Sequence, residues 1–475
     1  MTAPSSPRDN GGQRTSTAAA LVLLWLAVIV LPLPVREVMP PDESRFAHQA
    51  EVMHTSGDWI VPRIGDVPNA DKPPGLFWSV NLVSLVTGHV TETTARVPSA
   101  LAALMVMFLT VRLGRRLWGD ATLGLGAAAM LVTGVEFSQK GQWCSCDMLL
   151  TAFSLGASTL WREAVFERER GGHLMIAAGW LCAAIATLTK GPLGLLWPLW
   201  WVIAEAAARR RWKPTLALLV PSGPVLYLLL VFGWLTAFKA GAGETLAHEA
   251  LFTQTVTRYL NSWNSFQPPY FFLIQTPGDF FPWSLFFPAA AVAWWRLRRD
   301  ADATTGVDRV AWRASLVFLG IALVFFSLSP GKRGVYLLPA FPMLALCTAR
   351  GFLSIGGRWR RVPLRLLACV GIVVGLVIPL VVAVIRPRVA LDWGERVGFG
   401  WVAALVACGA SLSIGALFAL RRHDSAPRAL ASVVAGMAVC LSILGTLGGA
   451  AWSRYQDGSG FGTVVATIVP ARSDW

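Results

Sequence analysis

Long apolar runs, broken by short turns crowded with arginine, recur along almost the whole chain. About thirteen of them approach the ~20 residues needed to cross a hydrocarbon core: 18–35, 97–111, 121–136, 147–161, 173–189, 191–207, 215–235, 281–295, 311–328, 334–349, 364–385, 398–420 and 429–452. In lipid a segment must satisfy its own backbone hydrogen bonds, so such runs fold as helices. The expected architecture is an all-α polytopic membrane protein with about 13 transmembrane helices. One integral domain covers 18–452, with polar tails over 1–17 and 453–475. Only 14% of the 475 residues are charged. Soluble domains carry about 25%, so a soluble enzyme, a coiled coil and a disordered chain are excluded.

The chain carries a net charge of +14. Most of its Lys and Arg crowd alternate short turns, which marks those turns as cytoplasmic. This places the 1–17 tail inside, the C-terminus outside, and two long loops, 36–96 and 237–280, on the outer face. The excess cation then meets anionic lipid, not nucleic acid. The first apolar run is followed by Arg36, Glu37, Pro40 and Pro41 with no small-residue cleavage site, so it reads as an anchor. Of seven cysteines, Cys144 and Cys146 stand close together but lack the second Cys or His pair of a zinc site.

The first outer loop is the richest in chemistry. Pro40 and Pro41 open a helix, Asp42 and Glu43 suit its first turn, and Gly57 can end it. Phe46, Ala50 and Met53 form one apolar stripe. The apolar piece from Gly75 to Thr87 is too short to span and suits the interface. Two interfacial helices should therefore roof the outer membrane face. Capping alone explains Asp42 and Glu43, but it gives no reason for Arg45, Asp71 and Lys72 to gather in the same loop against a bilayer.

The stretches P-D-E-S-R-F-A, G-D-W-I-V-P-R, D-K-P-P-G-L-F-W and A-R-V-P-S-A occur in this order in that loop. They are followed by D-M-L-L-T-A-F at Asp147, T-K-G-P-L-G at Lys190, F-P-W-S at Phe281 and F-F-S-L-S-P-G-K-R at Phe325, with Tyr336 just beyond. The whole set resembles the bacterial aminoarabinose (lipid A) transferases. Those are lipid-carrier-dependent glycosyltransferases of the GT-C superfamily, distantly related to protein O-mannosyltransferases. The likeness covers roughly residues 18–350.

The resemblance implies transfer of a sugar from a polyprenyl (undecaprenyl) phosphate to an acceptor hydroxyl at the periplasmic face of the bacterial inner membrane. The acceptor is a lipid, a glycan or a protein. Such a reaction needs a general base for the hydroxyl and fixed cations for the leaving phosphate. The resemblance implies Asp42 as the base, Glu43 as a neighbour that tunes or positions it, and Asp147 as a second catalytic acid. It implies Lys72, Arg258, Lys190, Lys332, Arg333 and Tyr336 as the donor-phosphate set. Taken alone, the cations read equally as snorkelling or lipid-binding side chains. Some family members hold a metal at the Asp71 position with a histidine from the second loop. Here Thr253 stands at that place and His248 lies upstream, so Asp71 is only a weak candidate for a divalent metal and no cofactor is firmly implied. Most tryptophans read as interfacial anchors, with Trp59 and Trp78 the two open to substrate contact. A polytopic transporter or flippase of envelope glycolipids is the alternative. Charges gathered at the outer surface, not at a midplane break in the helices, favour the enzyme.

Overall fold

The computed structural model describes residues 10–36, 38, 41–167, 172–262, 265–299, 306–380 and 399–448. The chain is helical almost throughout. The one sheet among the described residues is a hairpin pairing Arg63–Ile64 with Val67–Pro68. Residues 1–9 of the expected N-terminal tail and all of the 453–475 tail lie outside the described residues. Residues 10–17 depart from the expected loose tail, because they form the first turns of helix α1 (Asn10–Trp25). Once the apolar end of such a helix is ordered, each residue added to it costs little.

Helix α2 (Asp42–Ser56) carries Asp42 and Glu43 in its first turn and stops at Gly57, whose φ of +72° suits glycine. Its stripe of Phe46, Ala50 and Met53 is buried against α3 (Gly75–Ser84), with the Phe46 and Phe77 rings 6.4 Å apart. Helix α3 has 10 residues and cannot span, as its length in the sequence foretold.

Helix α4 (Glu92–Trp118) runs longer than expected at both ends. Thr91 and Thr94 form a reciprocal cap at its start, and Arg115 and Arg116 complement the dipole at its finish. The first outer loop therefore ends near Thr91, and Arg96 becomes a buried residue of α4. Helices α5 (Ala121–Val132) and α6 (Val135–Gly141) form a pair bent by 72°. Helix α7 (Cys146–Arg162) opens at Ser145, whose side chain accepts the Asp147 amide. Helices α8 (Gly172–Lys190) and α9 (Leu193–Arg209) join through Gly191 and Pro192. A Cβ on Gly194 would lie 2.2 Å from the Thr187 nitrogen, so only glycine lets α9 close on α8. Helix α10 (Ser222–Ala242) leaves Leu228, Leu229 and Phe232 exposed for lipid.

Helices run through the described parts of all thirteen expected stretches, but they are unequal. By length and composition eight described helices can cross a membrane, or nine with the bent pair. Helices α7 and α9 have 17 residues each, and Phe287–Arg299 has 13. Beneath the outer end, Trp197, Trp200, Phe318, Phe325 and Phe326 pack edge and face, with Trp197 and Phe326 stacked at 5.7 Å. This aromatic floor carries the site described next.

Candidate active site between the first loop and the bundle

Asp42 and Glu43 are neighbours, yet one helical step of 100° sends them to different surroundings. Glu43 points into the bundle and is fully buried. Its carboxylate accepts from Arg96 Nε at 2.8 Å, from Arg36 Nη2 at 3.3 Å and from the Cys144 amide at 3.1 Å. Arg96 also donates to the carbonyls of Leu33 and Arg36, at 2.9 and 2.6 Å. Two guanidiniums thus fix the start of α2 against α4 and the end of the first membrane segment. Asp42 faces a cavity instead, one third exposed. It accepts from Arg45 Nη2 at 3.2 Å and from Arg333 Nη2 at 2.9 Å.

That cavity measures about 600 Å³. Its polar wall brings together Asp42, Asp71, Lys72, Asp147, Lys190, Arg258, Arg333 and Tyr336 from segments up to ~290 residues apart in the chain. Each element delivers its residue from an end that projects above the apolar core. Asp147 sits in the first turn of α7, Lys190 in the last turn of α8, and Arg258 in the second outer loop. Asp147 pairs with the Lys190 ammonium and also receives the Ser145 hydroxyl at 3.3 Å. The Lys190 ammonium lies 5.4 Å from the Tyr336 ring centre.

Asp71 is the hub of a second cluster. Arg45 Nη1 lies 2.7 Å away, Lys72 Nζ 2.9 Å and Arg258 Nη1 3.2 Å. Burial opposes ionisation of Asp71, but Lys72 and then Arg45 and Arg258 outweigh it and hold the carboxyl down at about 2. Burial lowers the Lys72 ammonium from its ordinary value, and Asp71 offsets part of the drop. A carboxylate ringed by three cations is a poor ligand for a fourth, so the structure does not fit a metal at Asp71. His248 packs on Phe252, 4.8 Å between ring centres, and no group of three metal-ligating side chains occurs among the described residues.

A second cavity of about 330 Å³ shares Lys190, Leu193, Gln254, Arg258 and Tyr336 with the first. Its remaining wall is largely apolar, from Pro192, Leu196, Leu260, Phe325 and Phe326. A charged chamber and a greasy one therefore meet at Lys190 and Arg258.

Three expectations need correction. Lys332 lines neither cavity. Its ammonium donates to the carbonyls of Ser329 and Gln267, at 2.5 and 2.8 Å, and so ties two outer loops together. Trp78 donates its indole N–H to the Trp59 carbonyl at 2.6 Å, and neither ring lines the cavities. Conversely, Arg45, Lys140, Trp143 and Gln254 line the charged chamber without having been singled out. Arg45 carried a signal in the P-D-E-S-R stretch. Lys140, 4.2 Å from the Trp143 ring centre, sits in the polar stretch 138–142 between two expected spans, where a charge is unremarkable.

Residues 71–235 match the family described as dolichyl-phosphate-mannose-protein mannosyltransferase. An undecaprenyl phosphate-alpha-4-amino-4-deoxy-L-arabinose arabinosyl transferase of Enterobacter sp. is 28% identical over 70% of this chain. One from Sodalis glossinidius is 29% identical over 69% of it. The chain is similar to the aminoarabinose transferases over about two thirds of its length. It covers 59% and 58% of those two proteins' lengths. The crystal structure of ArnT from Cupriavidus metallidurans bound to undecaprenyl phosphate superimposes with a TM-score of 0.77 at 21% identity. That match covers 97% of this chain and 81% of the other. At that identity it shows the fold alone, an all-α membrane architecture, as the sequence led one to expect.

Proposed function

We propose that this chain transfers a sugar from undecaprenyl phosphate to an acceptor hydroxyl, with its site at the periplasmic face of the inner membrane. The observation that carries the reading is the junction of the two cavities. A polyprenyl phosphate has a greasy tail and an anionic head, and here an apolar chamber meets a cationic one at Lys190 and Arg258. The relatives' names specify that carrier.

In the proposed reaction the donor phosphate lies among Lys72, Arg258 and Lys190, with Tyr336 beside it. Arg258 supplies a planar fork suited to phosphate, and the two lysines supply point charge. The acceptor enters beside Asp42, the part-exposed carboxylate at the chamber wall. As the acceptor oxygen bonds to the anomeric carbon, Asp42 takes its proton. The bond from that carbon to the phosphate oxygen breaks, and its electron pair stays on the phosphate. The growing phosphate charge is met by cations already in place, which is where such a site gains its rate. Asp147 acts by holding the Lys190 ammonium, and Glu43 by fixing the turn that presents Asp42. Arg333 and Arg45 orient the Asp42 carboxylate.

The test uses the full-length purified chain with a panel of undecaprenyl-phosphate sugars and extracted envelope glycolipids, read by mass spectrometry. A sugar-sized mass gain on an acceptor, absent in Asp42→Asn, supports the reading. No gain with any donor, from protein that binds undecaprenyl phosphate, overturns it.

A further inference from the structure

At the opposite end of the bundle the arginines sort into two groups. Arg112, Arg116, Arg162 and Arg209 are tied to Glu163, Glu167 and Glu205, for example Arg209 Nη2 to Glu205 at 2.7 Å and Arg116 Nη1 to Glu167 at 3.2 Å. Arg210, Arg211 and Lys213 are not. Among the described residues none of the three has an acidic partner, and all three are exposed. They surround one cavity of about 640 Å³, whose other walls are Ala164, Val165, Trp212, Pro214 and Ala217.

The cavity is built by an unusual turn. Arg210 ends α9 with φ at +55°, a left-handed conformation that is unfavourable for a non-glycine residue. The chain reverses there, and a short 3-10 helix, Lys213–Leu219, begins at once. Trp212, in the cavity wall, and Leu216 and Leu219, in the short helix, are all exposed. A tryptophan flanked by exposed leucines is the composition of a segment resting at headgroup depth. Helix α9 has 17 residues, which puts this turn roughly 25 Å from Leu193 in the candidate active site, close to one hydrocarbon thickness.

We propose that this cavity binds the phosphate of an anionic phospholipid headgroup. Three cations without acidic partners around an apolar-walled hollow suit a phosphate diester attached to a greasy chain. The exposed Trp212, Leu216 and Leu219 hold the hollow at the depth where lipid phosphates lie. Free phosphate shares the chemistry, but it gains nothing from that depth. The site is remote from the proposed reaction, and nothing in its test depends on sugar transfer.

Native mass spectrometry of the full-length chain, titrated with dioleoyl phosphatidylglycerol, dioleoyl phosphatidylcholine or inorganic phosphate, tests it. The wild-type protein retains phosphatidylglycerol in preference to phosphatidylcholine. Millimolar inorganic phosphate does not displace it. The variant R210N/R211Q/K213Q, with asparagine suited to the left-handed turn, weakens phosphatidylglycerol retention on the order of 100-fold. Should that variant fail to fold, R211Q/K213Q leaves the turn intact and weakens it about tenfold. Equal retention of the two lipids, unchanged retention in either folded variant, or displacement by inorganic phosphate overturns the proposal.

Discussion

The two ends of this helix bundle both gather acids and arginines, and they do opposite things with them. At the end of α7 and α9 away from the loops, Glu163 and Glu205 are fully buried, and their guanidinium partners close over them. The ions fill the space between helices, and their job is to hold the helices. At the loop end the ions line a hollow of about 600 Å³. Asp42 stays one third exposed there, between Arg45 and Arg333. Charge in a membrane protein therefore marks a site only where it surrounds space. Glu43 makes the same point one residue from Asp42, since it is packed like the far-end acids and sits at the site only to brace it.

The sharpest way to break this comparison is to neutralise one acid of each kind. Asp42→Asn keeps shape and removes the proposed proton acceptor. Transfer should fall 10²–10⁴-fold, the usual worth of a positioned base, while binding of undecaprenyl phosphate and the unfolding temperature hold steady. Near-normal turnover would strip Asp42 of its role. Glu205→Gln takes from the buried Arg162 one of its two carboxylates, leaving Glu167, and from the part-exposed Arg209 its partner one turn away. It should cost about 1–3 kcal/mol of stability, seen as a drop in the unfolding temperature in detergent. Turnover per folded molecule should be unchanged. A kinetic defect without a stability defect would mean the two ends are not separate in function.

A smaller effect is expected from the cations at the cavity junction. Arg258→Ala removes a charge-assisted contact worth about 1.5–3 kcal/mol. Undecaprenyl phosphate should bind roughly ten- to hundredfold more weakly by native mass spectrometry. Lys332→Met, by contrast, should leave that affinity within about twofold, because its ammonium is spent on the carbonyls of Ser329 and Gln267. A loss of carrier binding in Lys332→Met equal to that in Arg258→Ala would place the lysine in the site after all.

The contrast between Arg258 and Lys332 also shows how far the sequence reaches. Helices were legible because lipid forces an apolar run to fold on itself, and the Phe46, Ala50 and Met53 stripe was legible because helical spacing puts those residues on one face. The residues that the motifs picked out, Asp42, Lys72, Asp147, Lys190 and Arg258, line one chamber. What the sequence could not show is the direction of a side chain at a loop. Lys332 and Arg333 are adjacent and chemically alike, yet one turns to carbonyls and the other to Asp42. Lys140 was hidden for the opposite reason. The bend of 72° between α5 and α6 carries it into the chamber, and no local pattern in the apolar run before it announces a bend so large. Helix lengths were blurred likewise. Thr91 and Thr94 extend α4 past its apolar run by capping, which a count of apolar residues does not register.

The smallest effect concerns acidity. Asp71 is held at about 2 by Lys72, Arg45 and Arg258 against the pull of burial. A carboxyl whose folded value is depressed contributes its stabilisation above the unfolded value, near 3.9, and loses it as pH falls through about 2. Between pH 5 and 8 it is ionised in both states, so the three cations around it keep their countercharge throughout. Undecaprenyl phosphate affinity measured over that range should therefore show no step that disappears in Asp71→Asn. The variant itself should shift affinity by a constant amount at every pH, because it removes a fixed charge and not a titrating one. A step between pH 5 and 8 present in the wild type and absent in Asp71→Asn would mean the cationic ring is looser than its distances of 2.7–3.2 Å describe. The chamber would then resemble an open surface more than the braced far end.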